Sequence, residues 1–188
     1  MSDKIYISAN EYLRDSFRLA RNILDSEWRP DDLIALWRGG APVGVSVHEF
    51  LHYHGLRPRH RVLKCQSYTG IKTQQQEVVF ENANEIFNSI VPGSRVLVID
   101  DVFDTGKTAC AVFDRLAPFN ADVRLATVYW KPNANQTKFK PDYHVKETDE
   151  WIVFPHELDG LTADEVKIKD PMIYDLLLPN HREKMKSC

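Results

Sequence analysis

Four short apolar segments, separated in part by helical patterns, limit most strongly what this chain can fold into. They are LIALW (33–37), VLKCQ (62–66), RVLVID (95–100) and VRLATVYW (123–130). Continuous apolar runs of this length are typical of strands that are buried on both faces of a sheet. Helical patterns at about 41–54 and 106–117 separate some of them, which favours crossover connections between parallel strands. We therefore predict an α/β fold with a mainly parallel sheet flanked by helices.

Two polar motifs follow directly after predicted strands. Arg38-Gly39-Gly40 follows the first strand, and DVFDTGKT (101–108) follows the third. Ligands of open α/β sheets bind at the carboxyl ends of the strands. Both motifs are therefore expected to lie at the ligand-binding edge of the sheet.

The segment VLVIDDVFDTGKTA (96–109) superficially matches a nucleoside-triphosphate loop, because a strand runs into Gly-Lys-Thr and a helix. That loop requires a glycine at position 101, where this chain has Asp101. The adjacent Asp100 and Asp101 would repel a phosphate chain. They are suited to accept hydrogen bonds from sugar hydroxyls, or to act through a metal ion.

DTGKT, Asp104 to Thr108, has the composition of a cradle for one phosphate group. Gly106 lets the backbone approach an anion, the threonine hydroxyls donate hydrogen bonds, and the helix start adds its positive end. The alternative is an ordinary helix start capped by Asp104. Arg38 and the glycines after it could meet a second phosphate group. The two motifs together predict a ligand with phosphates at both ends of a ribose.

Composition and charge exclude several classes of function. The chain has 188 residues, 43% of them hydrophobic, and a net charge of only −3. Without a long basic run, nucleic acid and acidic membranes are not expected as partners. The polar beginning MSDKIYISANEY and the lack of a long apolar run predict a cytoplasmic protein. Its three scattered cysteines, Cys65, Cys110 and Cys188, are expected to be reduced thiols.

The flanking segments carry weaker patterns. A helix is predicted from Ser8, with Glu11 completing a capping box and an apolar stripe formed by Tyr12, Leu13, Phe17, Ala20, Ile23 and Leu24. The polar, glutamine-rich stretch 67–85 is interpreted as a long loop that acts as a lid, with a disordered insertion as the alternative. A second capping box at Thr162 and Glu165 opens a C-terminal appendage.

With these motifs in place, the chain resembles the type I phosphoribosyltransferases, and in particular their 6-oxopurine branch. VLVIDDVFDTGKTA is similar to the family's phosphoribosyl-pyrophosphate motif. Further likeness runs from LIALWRGG through SYTGIK to ATVYWKP and DEWIVFPHE. The resemblance implies one domain, 1–188, with a core at about 8–145 and a hood that binds the base at about 146–188.

The resemblance implies a role for each motif around phosphoribosyl pyrophosphate and Mg²⁺. Asp100 and Asp101 would hold the ribose hydroxyls and, directly or through water, the magnesium ion. The 5′-phosphate would be bound by the loop residues Asp104, Thr105, Gly106, Lys107 and Thr108. Arg38 and Gly39 would meet the pyrophosphate, with a cis peptide between Trp37 and Arg38 as in relatives. Ser67 and Tyr68 would belong to the lid.

For the purine, the resemblance implies that Lys131 donates to the 6-oxo group, which favours hypoxanthine, guanine or xanthine over adenine. Trp151 would stack on the base, and the backbone of Ile152 would contact its edge. Glu157 falls where relatives carry an acid near magnesium, but it is Glu rather than Asp and follows His156. Asp104 would manage the proton at N7 of the base. Members of the family are dimers or tetramers, so a homodimer or homotetramer is expected.

Two other functions stay open at this point. HEFLH, with His48, Glu49 and His52, fits the helical zinc-protease motif, although the position for a third histidine is Pro58. The resemblance instead places these histidines on the solvent side of the helix after RGG. The other alternative is a non-catalytic regulator that senses phosphoribosyl pyrophosphate. Asp104 and the absence of a basic run favour an enzyme.

Overall fold

A six-stranded sheet organises the larger of two compact units, Leu13–Asp149, in the computed structural model, which describes residues 4–69, 76–81 and 83–178. Its strands are β2 (Asp32–Trp37), β3 (Arg59–Thr69), β4 (Gln76–Glu81), β5 (Arg95–Phe103), β6 (Asp122–Trp130) and β7 (Lys146–Glu147). They lie in the order β4-β3-β2-β5-β6-β7. All neighbouring pairs are parallel except β3 with β4. The predicted, mainly parallel sheet is confirmed.

Helices connect these strands at the two predicted positions, about 41–54 and 106–117, and at a third position that was not predicted. Helix α2 (Gly40–Tyr53) lies between β2 and β3, α3 (Ala83–Asn88) precedes β5, and α4 (Lys107–Leu116) lies between β5 and β6. A short 3-10 helix, Ala117–Phe119, extends α4. The core on one face of the sheet contains Ile34, Leu36, Leu63, Val98 and Val112, all buried. Burial on both faces explains why these strands lack polar alternation.

Helix α1 (Ala9–Asp25) begins where the cap predicts, because the Ser8 hydroxyl accepts a hydrogen bond from the amide of Glu11. Its predicted apolar stripe is partly wrong. Leu13 and Phe17 are exposed, whereas Asp15 is fully buried. Arg18 and Lys146 both approach the Asp15 carboxylate at 2.7 Å. A buried carboxylate is tolerated when cations compensate its lost hydration, and periodicity of apolar residues does not reveal such pairs.

The prediction of a long loop at 67–85 is also corrected. The residues before and after the centre of this stretch pair as antiparallel strands, from Lys64 opposite Glu81 to Thr69 opposite Gln76, and helix α3 follows. Glutamines and an irregular pattern hid β4, an edge strand of the sheet. Residues 70–75 and 82 lie outside the described part of the chain, as do the side chains of Ser67 and Tyr68.

The second compact unit comprises Met1–Tyr12 and Glu150–Cys188. Strand β1 (Lys4–Tyr6) pairs in parallel with β8 (Trp151–Val153). Helices α5 (Ala163–Lys169) and α6 (Pro171–Leu177) follow. The predicted capping box is confirmed, since Thr162 and Glu165 exchange hydrogen bonds between side chain and backbone. Across the described ranges, every helix falls short of the length and apolar character that a membrane crossing requires.

Gly44 sets how closely α2 approaches the sheet. A Cβ atom at this position would lie 2.5 Å from the Cβ of Ala35 on β2. Gly44→Val is therefore expected to lower the free energy of unfolding by about 1–3 kcal/mol through overpacking. This exceeds the roughly 0.5 kcal/mol that valine gains over glycine in a helix.

Urea unfolding followed by circular dichroism measures this change. The neighbouring Val45→Ala is the control, because Val45 is 65% exposed and its replacement should change stability by no more than about 0.5 kcal/mol. Equal stability of Gly44→Val and the wild type would contradict the packing described for α2.

Candidate active site

The loops after β2 and β5 meet at the carboxyl edge of the sheet. Gly39 and Gly40 lie against the carboxylates at the end of β5, since a Cβ atom on Gly39 would be 1.9 Å from Oδ2 of Asp101. A Cβ on Gly40 would be 2.4 Å from the carbonyl oxygen of Ile99. Gly40 is therefore required by the close approach of the β5 backbone, and Gly39 leaves room for the Asp101 carboxylate. The peptide bond between Trp37 and Arg38, which precedes them, is cis, a feature that the family resemblance implied and the sequence alone does not show.

Asp100 and Asp101 form a pair of like charges. The amide of Asp101 donates to Oδ1 of Asp100 at 3.0 Å, and the amide of Val102 donates to Oδ1 of Asp101 at 2.8 Å. Desolvation and the neighbouring Asp101 charge raise the pKa of the Asp100 carboxyl well above its usual range. Burial and the Asp100 charge also raise the pKa of the Cys65 thiol, to about 12. Added positive charge would stabilise both ionised aspartates.

The segment after β5 forms an open helix start. Gly106 has φ +81° and is the N-cap residue of α4, so the cap position itself carries no side chain, and the Thr105 hydroxyl accepts from the amide of Lys107 at the long distance of 3.5 Å. The alternative of Asp104 as the cap is therefore wrong. The helix start and the end of β5 line a cavity of about 70 Å³ that includes Asp100, Asp104, Gly106, Thr108 and Thr127. An uncapped helix start that faces a cavity is suited to an anion.

Two threonines complete this cavity and its loop without having been predicted. Thr127 on β6 lines the cavity, and its buried hydroxyl has no hydrogen-bond partner among the described residues. Thr137 packs against the turn before α4, where a Cβ on Gly106 would be 2.6 Å from its hydroxyl oxygen. The amide of Gln136 donates to the carbonyl of Thr105 at 3.0 Å. No motif marks either threonine, because strand pairing and a long loop bring them to the site.

Lys131 lies at the same edge, directly after β6. Its amide donates to the carbonyl of Phe103 at 2.9 Å, and its Nζ is 3.6 Å from Oδ2 of Asp104. The residue is only 9% exposed. Arg38, by contrast, is exposed. The larger unit thus brings together the predicted residues Gly39, Asp100, Asp101, Asp104 to Thr108 and Lys131.

The remaining predicted residues belong to the smaller unit. Trp151 is 57% exposed, and Ile152 is buried in the two-stranded sheet opposite Ile5. Oε2 of Glu157 accepts a hydrogen bond from the amide of Phe154 at 3.1 Å. One carboxylate oxygen of Glu157 is therefore engaged in the local turn.

The histidines of HEFLH do not form a zinc centre. The rings of His48 and His52 lie with centroids 3.8 Å apart, and the ring of His60 is 4.5 Å from that of His48. However, no group of three or more metal-binding side chains with suitable geometry occurs within 4–69, 76–81 and 83–178. The expectation that both histidines face solvent is wrong for His48, whose side chain is 16% exposed. The zinc-protease alternative has no structural support.

The raised pKa of Asp100 predicts that the ionised carboxylate lowers the stability of the folded protein. The folded state favours the neutral carboxyl of Asp100. Below the usual pKa of 3.8 the carboxyl is neutral in both states, and its ionisation costs no folding stability. As the pH rises above 3.8 this stability is lost, and the loss is complete above the raised pKa of the folded state. At pH 7, Asp100→Asn should therefore raise the Tm of the ligand-free protein, by about 2–4 °C for each kcal/mol gained. The asparagine Oδ1 can still accept from the amide of Asp101.

Thermal unfolding at pH 7 tests this expectation. Asp114→Asn is the matched control, because Asp114 is an exposed carboxylate on α4. A lower Tm for Asp100→Asn, with an unchanged control, would show that ionised Asp100 does not destabilise the fold.

Comparison with known proteins places this site in a family. The model of the phosphoribosyl transferase domain matches residues 6–160. A hypoxanthine/guanine phosphoribosyltransferase of Methanococcus maripaludis is 27% identical over 150 residues, which cover 78% of this chain and 77% of the relative.

Two solved structures share the fold. A purine phosphoribosyltransferase from Pyrococcus horikoshii superposes with a TM-score of 0.67 and 28% identity, over 85% of this chain and 97% of that one. The Helicobacter pylori xanthine-guanine-hypoxanthine phosphoribosyltransferase gives a TM-score of 0.65 at 24% identity, over 91% and 99% of the two chains. With a family model that spans most of its length and the site at the strand ends, the chain belongs to the phosphoribosyltransferase family.

Proposed function

We propose that this protein is a purine salvage enzyme, which transfers the 5-phosphoribosyl group from phosphoribosyl pyrophosphate to N9 of a 6-oxopurine and releases pyrophosphate. One observation carries the proposal. The carboxylate pair Asp100–Asp101, the uncapped helix start at Gly106 and the ammonium group of Lys131 belong to the same strand edge of a phosphoribosyltransferase fold. The names of the relatives identify hypoxanthine and guanine as the first bases to test.

The loop from Asp104 to Thr108 is assigned the 5′-phosphate. The N-cap of α4 is Gly106, which has a positive φ and no side chain, and the amide of Lys107 makes a long hydrogen bond of 3.5 Å to the Thr105 hydroxyl. A phosphate group would satisfy the backbone amides at this helix start and interact favourably with the helix dipole. The hydroxyls of Thr105 and Thr108 would add hydrogen bonds, and Lys107 would add positive charge.

Asp100 and Asp101 are assigned the ribose hydroxyls and a share of the magnesium ion. Burial and the neighbouring Asp101 charge oppose the ionisation of Asp100. A divalent cation bound beside the two carboxylates would stabilise their ionised form. Mg²⁺ is commonly held by one or two carboxylates together with substrate phosphates, so a protein cluster of three acids is not required. When bound, the ion would neutralise charge on the leaving pyrophosphate oxygens. Glu157 remains a weaker candidate for contact with the ion.

Arg38 and Gly39 are assigned the pyrophosphate. The exposed guanidinium of Arg38 has the charge and planar geometry to bind phosphate oxygens. The close approach of Gly39 to Asp101 keeps a side chain out of this position, and its backbone amide can donate to an anion. Together the two loops would bind the two phosphate-bearing ends of the donor.

Lys131 and Asp104 are assigned to the base. The ammonium group of Lys131 donates hydrogen bonds only, so it matches the 6-oxo group of hypoxanthine, guanine or xanthine and opposes the 6-amino group of adenine. Asp104, whose Oδ2 lies 3.6 Å from Nζ of Lys131, is assigned the proton at N7. The stacking role of Trp151 and the backbone contact of Ile152 rest on the family resemblance.

Catalysis would come from positioning and charge. Breaking the bond between ribose carbon 1 and pyrophosphate leaves an oxocarbenium-like centre, which the purine nitrogen attacks as the leaving oxygens depart. Arg38 and backbone amides would neutralise those oxygens. The segment with Ser67 and Tyr68 would act as a lid that excludes water, because water would otherwise hydrolyse the centre. The proposal includes a cytoplasmic homodimer or homotetramer without nucleic-acid or membrane partners.

The first test is a steady-state assay with phosphoribosyl pyrophosphate and Mg²⁺, in which hypoxanthine, guanine, xanthine and adenine are supplied separately and the nucleotide formed is measured. Hypoxanthine and guanine should turn over, xanthine is the open third substrate, and adenine should be rejected by Lys131. Absence of turnover with all four bases, while phosphoribosyl pyrophosphate still binds, would favour the regulator instead.

Asp104→Asn tests the proton-transfer role. We expect kcat to fall by about 10²–10⁴, because asparagine cannot accept the proton. The Kd of phosphoribosyl pyrophosphate should change by less than about threefold, or roughly 0.7 kcal/mol. Isothermal titration measures the Kd, and Asp114→Asn on α4 provides the control. Unchanged turnover in Asp104→Asn would remove the assignment.

A further inference from the structure

A second cavity, of about 660 Å³, lies at the amino ends of the parallel strands in the larger unit. It is an open groove next to the first residues of β2, β3 and β5. Its lining carries the guanidinium groups of Arg29, Arg57, Arg59 and Arg95, against one carboxylate, that of Asp31. The groove therefore has a net charge of about three positive units, on arginines that are always protonated.

Two of these arginines, Arg59 and Arg95, are each fixed by a bidentate ion pair with a carboxylate. Arg59 donates to both oxygens of the fully buried Asp32, at 2.9 and 2.6 Å. Arg95 donates to both oxygens of Asp31, at 3.1 and 3.0 Å. Hydrogen bonds from Arg95 hold the pKa of the Asp31 carboxyl below its usual range. Asp32 also pairs with Arg61, so this buried carboxylate does not reduce the positive charge of the groove.

The fixed arginines retain donors for a ligand. A guanidinium group has five N–H donors in a plane, and each of these two bonds to its carboxylate through Nε and one terminal nitrogen. The other terminal nitrogen can donate to phosphate oxygens. Arginines already fixed by a salt bridge lose little side-chain entropy when a ligand binds. The side chains of Arg59 and Arg95 are 48% and 44% exposed, which leaves them accessible.

Ser94 is a nearly buried polar residue of the same groove. It lines the same groove and is 8% exposed, and its hydroxyl has no hydrogen-bond partner within the part of the chain that the structure describes. A buried hydroxyl without a partner is unfavourable unless another group satisfies it.

This groove is separate from the candidate active site. Arg95 begins β5 and Asp101 lies near its end, so six residues at about 3.3 Å each place them about 20 Å apart. We infer that the groove is a second anion site, which binds a chain of phosphates, either free or carried by a nucleotide. Leu56 and Val91 supply apolar surface beside the arginines for the body of a nucleotide.

Site-resolved NMR tests this inference without dependence on the proposed transferase activity. Tripolyphosphate or adenosine triphosphate is titrated into ¹⁵N-labelled protein. Saturable shifts of the Gly93, Ser94 and Arg95 amides are expected, separate from any shifts at Gly106–Thr108. Equal affinities of the two probes would identify the phosphate chain alone as the ligand. Tighter binding of the nucleotide, with shifts of Leu56 and Val91 methyl groups, would identify a nucleotide.

Arg57→Glu is the diagnostic variant, because Arg57 is exposed and lies outside the candidate active site. It should weaken binding at the groove about tenfold or more, by removing a charged contact and adding repulsion. Affinity at Gly106–Thr108 and the wild-type turnover should persist. Arg14→Glu, at an exposed arginine of α1, is the matched control and should leave binding unchanged.

Two results would overturn the inference: no shift at Gly93–Arg95 with either probe, or shifts there that Arg57→Glu leaves at full affinity. Failure of the transferase assay with intact binding at the groove would reject only the proposed function.

Discussion

The contact between the two strand-end loops is the constraint on which the candidate site depends. Gly39 and Gly40 lie so close to Asp101, Ile99 and Asp100 that a single methyl group on either glycine would collide with them. Burial at this contact, together with the neighbouring Asp101 charge, raises the pKa of Asp100. The protein thereby keeps an unfavourable arrangement of charge in the absence of ligand. Such local strain is common where a binding site must be ready for its ligand before the ligand arrives.

Different kinds of polar residue lie at the two ends of the parallel strands. Carboxylates, a glycine-rich turn and a helix start occupy the carboxyl ends, whereas arginines and their supporting carboxylates occupy the amino ends. Ion pairs such as Arg59 with Asp32 fix the beginnings of the strands, and the apolar residues between the two ends form the core. Strand pairing in register therefore sets the positions of both groups of residues together.

Features formed by consecutive residues could be predicted from the sequence, whereas features that distant residues form together could not. The strands around Ile34, Val98 and Leu125 were predicted because burial on both faces leaves a continuous apolar run. The turn at Asp104–Thr108 was recognised because its residues are consecutive, and its phosphate-binding role belongs to the proposed function. Strand β4 was missed, since an edge strand with glutamines lacks that pattern. Thr127 and Thr137 are brought to the site by strand pairing and a loop. The four arginines of the groove are scattered between positions 29 and 95, so no basic run revealed them.

Under the proposed function, the ion pair between Lys131 and Asp104 has a consequence for the choice of base. Oδ2 of Asp104 lies 3.6 Å from the ammonium group of Lys131, so a carboxylate oxygen is the acceptor atom beside this lysine. A base with an oxygen at carbon 6 would exchange one acceptor for another. A base with an amino group there would place a donor against the ammonium group of a lysine that is almost buried. Selection among bases would then depend on the loss of the ion pair between Asp104 and Lys131 as much as on the contact that the base makes with Lys131.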